Sequence, residues 1–226
     1  MLDIYNACCM NVKEIKKRAK NIKRMINNAI LNKRNEEIIT LTKVYALVYS
    51  AFVEVSFIKL INTPYGFDEE KIKVIQSKSN LEEKWLTCIN LAFLTIKKES
   101  NITDINNKKL KLKKILKEYI VKPSELRNKI AHGQWKVALN NQCTNQNYEI
   151  TQIIENIDFV KIDILFQVYD KFQQCIEDLI ESPQKAHYEY FYTNLSKLEA
   201  YISKTEKWNF ESRKNKILTR NHSKKQ

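Results

Sequence analysis

Residues 35–66 read NEEIITLTKVYALVYSAFVEVSFIKLINTPYG. Asn35 followed by two acids and then Ile38 has the form of a helix start: a short polar acceptor ahead of carboxylates that favour the positive end of the helix dipole. Between residues 44 and 61 apolar side chains fall on nearly every face of a helix, and Thr63, Pro64, Tyr65 and Gly66 stop it. A helix apolar all round belongs in a core, so this segment is expected to be the central helix. Glu54 and Lys59 interrupt the run, which therefore reads as buried in protein rather than spanning a membrane. Glu54 is expected to pair with a neighbouring lysine or reach the surface.

Working outward, Ile15, Ala19, Ile22, Ile26, Ala29 and Ile30 form a stripe at the three-and-four spacing of an amphipathic helix. Asn80 is placed to cap a third long helix carrying Leu81, Trp85, Cys88, Ile89, Ala92, Phe93 and Ile96. A polar break at 100–107 precedes a lysine-rich segment with Leu112, Ile115, Leu116, Tyr119 and Ile120 inward, expected to end before Pro123. Pro123 and Ser124 open a short helix closed by Gly133 as the residue past its end. Residues 135–153 lose the period: two short apolar runs flank a polar stretch, as in a small hairpin or plain loop. Residues 158–181 are helical again, Ser182 and Pro183 punctuate, and Phe191, Leu195, Leu198 and Ile202 mark a last helix. The fold expected is all-α, an antiparallel bundle of about six to seven helices with a hairpin or loop insertion near 135–152. Residues 1–203 form its single domain, and 204–226 follow as a basic, aperiodic and flexible tail.

Composition supports the helical reading and excludes several chemistries. The chain has two glycines and three prolines, against average usage of roughly 7% and 5%. A dinucleotide fingerprint needs three glycines and a P-loop needs two beside Lys-Ser/Thr, and neither is present. Five cysteines make an odd count without a C-x-x-C pair, so reduced thiols are expected rather than a disulfide framework, a zinc ribbon or other metal site. The opening MLDIYNACCM lacks the apolar core of a signal peptide, and a soluble, cytoplasmic protein is expected, with no membrane partner. A net charge of +13 implies an anionic partner. The charge concentrates at residues 11–34, with nine basic residues against one Glu, and at 204–226, with eight against two.

The chemistry-bearing residues stand close together. Of the three histidines, His187 and His222 lie near the last helix and in the tail, and His132 is alone in the body. Arg127 is the single arginine between Arg34 and Arg213 in a chain with 39 basic residues, most of them lysine. Arginine's fixed fork of donors holds a phosphate bidentately, as lysine cannot, and histidine exchanges protons near neutral pH. Together they point to phosphate chemistry. On a regular helix Asn128 and His132 lie about 40° apart, whereas Arg127 and His132 lie about 140° apart. They converge if the helix unwinds at Gly133, or if a second subunit supplies part of the site across a two-fold axis; the shared site is preferred.

The run Glu125, Leu126, Arg127, Asn128, Lys129, Ile130, Ala131, His132, Gly133 resembles the signature of HEPN domains (higher eukaryotes and prokaryotes nucleotide-binding): Arg, a polar residue, three spacers, His. The resemblance implies a helical bundle that dimerises and, in active members, cuts RNA without a metal ion or other cofactor. Family members serve in toxin–antitoxin pairs and in defence against phage. An endoribonuclease acting on RNA is therefore expected, a homodimer with a composite active site and an antitoxin or sensor as partner. In such cleavage the 2′-OH attacks phosphorus, which needs a base, an acid and an offset for the charge on the phosphorane. His132 is expected to transfer protons, Arg127 to clamp the phosphate, and Asn128 to orient His132 or bond the scissile phosphate. Arg127 lying beside His132 would disfavour the imidazolium. The alternative is a catalytically inactive HEPN-like module that binds RNA, nucleotide or a partner. Trp135 is expected in the core or beside the hairpin.

Overall fold

Few glycines and prolines leave few places to turn, and the long apolar periodicities run as helices. The computed structural model describes residues 2–94, 96, 102–181 and 190–222. They form α1 (Leu2–Leu31), α2 (Asn35–Ile61), α3 (Glu69–Gln76), α4 (Leu81–Leu94), α5 (Ile102–Leu116), a π-helical turn (Lys117–Val121), α6 (Lys122–Ala131), α7 (Tyr148–Glu155), α8 (Phe159–Glu181), α9 (Tyr192–Thr205) and α10 (Phe210–His222). The chain is all-helical: among the described residues there is no strand, and one isolated antiparallel bridge joins Leu139 to Gln146. The punctuation expected at Ser182 and Pro183, and His187, lie outside the described residues.

Helix starts follow the caps. Asn80 accepts from Glu83 N at 2.9 Å and Asp158 from Lys161 N at 2.8 Å, each worth about 1 kcal/mol. Asp68, Asn147 and Asn209 do the same for α3, α7 and α10.

The described residues are helical as expected, and three segments depart from the expectation in detail. The helix expected to end before Pro123 runs through it. Proline lacks an N–H and its ring crowds the carbonyl four residues back, and the π turn just before it relieves this by stepping Lys122 N–H to Lys117 O. Of the two forms expected for the insertion at 135–152, the loop is the one found up to Asn147, with a single bridge in it, and the departure is that Asn147 caps residues 148–155 into α7. The stretch expected as an aperiodic tail carries α10, because Asn209 caps it and Phe210 packs edge-on against Phe159 at 6.0 Å.

The chain divides into two compact units, each assembled from three segments. The first comprises Met1–Val12, Val53–Lys122 and Gln167–Lys204. Its core centres on Trp85, fully buried, with Phe57 at 4.5 Å, Phe172 at 5.3 Å and Tyr169 at 6.0 Å between ring centroids. Tyr169 Oη donates to Val53 O at 3.1 Å, and α4 packs against α3, α5 and the π turn. Lys59 and Glu177 pair at 2.7 Å in half-buried surroundings.

The second unit comprises Lys13–Phe52, Pro123–Phe166 and Thr205–Gln226. Phe166 sits among Tyr45, Tyr49 and Phe52, with centroids at 5.1, 5.1 and 5.2 Å. Lys23 donates to both carboxylate oxygens of Asp163, at 2.6 and 2.5 Å, and Tyr45 Oη to one of them at 3.1 Å. By length and composition α2 is able to cross a membrane. In this fold its Tyr45, Tyr49, Phe52, Phe57, Leu60 and Ile61 are buried in protein, while Glu54 reaches the surface.

Candidate functional site

The site is built on the last turns of α6. Leu126 and Ile130 are buried and hold the helix down, which turns Glu125, Asn128, Lys129 and His132 onto one common face at spacings of three, four and seven. His132 N–H still donates to Asn128 O at 3.1 Å, so the helix does not unwind ahead of the imidazole. It ends in a Schellman motif instead: Gly133 N bonds Ile130 O at 3.1 Å, Gln134 N bonds Lys129 O at 2.9 Å, and Gly133 carries the left-handed φ of 81°. Of the two routes by which Arg127 and His132 were expected to converge, local unwinding is not taken.

The chain after Gly133 folds back as the opposite wall. Trp135 Nε1 donates to Ile130 O at 2.9 Å, and Lys43 also holds Trp135, donating to Trp135 O with its Nζ 5.6 Å from the ring centroid. Trp135 is thus a partly exposed clamp on the helix end. Lys129 Nζ donates to Leu139 O at 2.6 Å and to Asn141 Oδ1 at 3.3 Å, and Gln134 Oε1 accepts from Leu139 N at 2.8 Å. Asn140 Oδ1 takes the N–H of Thr144 at 2.9 Å, and Asn147 N donates to Ala138 O at 2.7 Å. The asparagine-rich stretch that looked merely polar is a set of turns fastened by its own side chains.

Between these walls lies a cleft of about 740 Å³ onto which Glu125, Asn128, His132, Gln134, Asn141 and Cys143 open, with Asn128 and His132 both solvent-exposed. Asn128 and His132 are therefore brought together. Arg127 is not part of that lining: it is half-buried, with its Nε inside the protein. The 140° separation read from the helix geometry is kept within one chain. An exposed imidazole among amide donors and acceptors is equipped to move a proton and to bond a polar ligand from several sides. Among the described residues no group of three His, Cys, Asp or Glu side chains is arranged to hold a metal ion.

Glu125 and Asn141 escaped the sequence reading. Glu125 shares the face of His132 at a spacing of seven, a signal that was present; Asn141 reaches the cleft through the fold-back of its loop, which leaves no periodic trace. A second cleft, of about 290 Å³, is lined by Lys23, Asp163, Lys207, Trp208, Arg213 and Lys216 among others. No family model, no curated protein and no solved structure matches this chain.

Proposed function

We propose that the chain is an all-α, HEPN-like endoribonuclease that cuts RNA by 2′-OH attack without a metal ion, in a bundle that pairs with a second copy of itself. The observation that carries this reading is the joint exposure of Asn128 and His132 on one cleft face, directly ahead of a helix end fixed by Gly133. His132 moves the protons, and Asn128 holds the imidazole or the phosphate. Arg127 faces away from its own cleft, and in this proposal it serves the His132 of the second copy. Loss of such a charge-stabilising donor typically costs about 2.7–4 kcal/mol in the transition state.

The test is degradation of single-stranded RNA by purified protein in EDTA. Wild type is expected to cut, and His132→Ala and Arg127→Ala to be inactive. A mixture of the two inactive variants regains activity if Arg127 and His132 of one site come from different chains, because the mixed dimer rebuilds one complete site. A mixture that stays inactive beside an active wild type rejects the shared site, and equal cutting by wild type and His132→Ala rejects the enzyme.

One observation favours a second reading: Arg127 Nε is buried in its own chain, as in a side chain that holds structure. On that reading the chain is an inactive HEPN-like module that binds RNA, a nucleotide or a protein partner. RNA retention without cleavage by the wild type selects it. A toxin or defence role, with an antitoxin or sensor as partner, predicts growth arrest on expression that His132→Ala abolishes.

A further inference from the structure

The second cleft belongs wholly to the second compact unit and shares no lining residue with the His132 cleft. Its floor is the start of α8, where Phe159, Val160 and Asp163 follow the helical spacing. The turn from α9 to α10 lines it as well: Trp208 N bonds Thr205 O at 2.9 Å and Asn209 caps α10, which fixes Lys207 and Trp208 along the cleft together with Arg213 and Lys216, one turn apart on α10. Four basic side chains line it against one acid, Asp163. That acid is already neutralised by the two short contacts from Lys23. The charge of Lys207, Arg213 and Lys216 is left over, beside a tryptophan that is 45% exposed.

Cations gathered beside an exposed indole match one ligand chemistry, an anionic group joined to a flat aromatic one. We propose that this cleft holds a single nucleotide unit, its base against Trp208 and its phosphate on Arg213 and Lys216, with Lys207 also in the lining. At about 290 Å³ it stands at the lower end of ligand clefts, which run from about 300 to 1,000 Å³, a size that suits one nucleotide unit. The unit comes either from a free nucleotide or from one residue of an RNA strand.

Titration of the full chain with AMP, and separately with a single-stranded RNA hexamer methylated at each 2′-oxygen, which 2′-OH attack cannot cut, followed by calorimetry, tests the site. The variant Arg213→Gln/Lys216→Gln is expected to bind at least tenfold more weakly and Trp208→Ala at least fivefold more weakly. Lys113→Gln/Lys114→Gln, which removes the same charge from α5, stays within twofold. Because binding is read without cleavage, failure of the ribonuclease reading leaves this result standing. Binding of AMP identifies a free nucleotide as a sufficient ligand, and binding of the hexamer alone identifies a strand. Equal weakening by the α5 pair, or no binding of either probe by wild type, overturns the proposal. If the charge variant loses helix content in circular dichroism, Trp208→Ala decides alone.

Discussion

Gly133 and Lys33 occupy the same backbone position with different residues. Each follows a helix in the left-handed region, φ 81° and 56°, and each closes a Schellman motif, Arg34 N bonding Ala29 O at 2.9 Å as Gln134 N bonds Lys129 O. A Cβ at Gly133 meets nothing within 4 Å, so Gly133→Ala carries only the backbone cost, about 1 kcal/mol. Lys33→Gly is expected to stabilise by a similar amount, and urea midpoints of the two variants should move in opposite directions. Gly66 differs: its φ is ordinary, but an added Cβ falls 2.5 Å from Ile180 Cγ2. Gly66→Ala should therefore cost about 1–3 kcal/mol, and less than additively with Ile180→Ala, which removes the offending methyl. Gly133 was legible as a helix stop because glycine is the usual residue there. Lys33 was not, since nothing in a lysine announces a positive φ. The same limit divides the candidate site. That Asn128 and His132 share a face follows from 100° per residue, whereas the burial of Arg127 depends on what packs around α6.

Long helices announce themselves by period, short ones by their caps and partners. The start of α4 is readable from Asn80, because a capping side chain ahead of an apolar stripe leaves both signals in the sequence, whereas α2 begins on Asn35 itself, with its first bond running from Ile38 N to Arg34 O, and the Asp158 cap of α8 shows only in the structure. In α10 the stripe is broken: between Phe210 and Ile217 the intervening turn holds Arg213 and Lys214, so no apolar period survives. The helix stands on Asn209, whose Oδ1 takes Ser212 N at 3.0 Å, and on Phe210 against Phe159. Asn209→Ala is expected to cost about 1 kcal/mol, concentrated in this element. Hydrogen exchange checks it: amides at 212–216 should lose protection while those of α4 keep theirs. Because α10 presents Arg213 and Lys216, the same variant should weaken any anion held beside Trp208. Trp135 gives the corresponding test for α6. Trp135→Phe keeps the ring under Lys43 and loses the bond to Ile130 O, so a cost near 1 kcal/mol is expected, with a further loss in Trp135→Ala.

For the whole molecule, the charge that points to an anionic partner also sets how stability depends on pH. At its pI of about 9.4 the net charge vanishes, so near that pH self-repulsion is small and individual buried groups govern the slope. Burial pushes the Cys175 thiol up to about 12 and lifts that of Cys88 well above the usual thiol range. Burial, and then the charge of Asp163, raises the Tyr45 phenol likewise. Burial works against the charge on Lys59, yet its hydrogen bond to Glu177 and the carboxylate's charge hold the ammonium above its ordinary value. All four keep their protons in the folded chain at pH values where the unfolded chain gives them up. Their contribution is complete below the unfolded values of 9.0 for the thiols, 10.0 for the phenol and 10.5 for the ammonium, and drains away as pH climbs toward the folded values. Unfolding free energies from urea titrations under reducing conditions should accordingly fall from about pH 9 upward, with each fully released group adding about 1.4 kcal/mol per pH unit to the slope. Cys175→Ala and Tyr45→Phe should each flatten that limb, Cys175→Ala from the lower pH. A profile level to pH 11, or one these variants leave unchanged, would mean that these side chains meet solvent in the folded protein and that the packing around α8 is not as described.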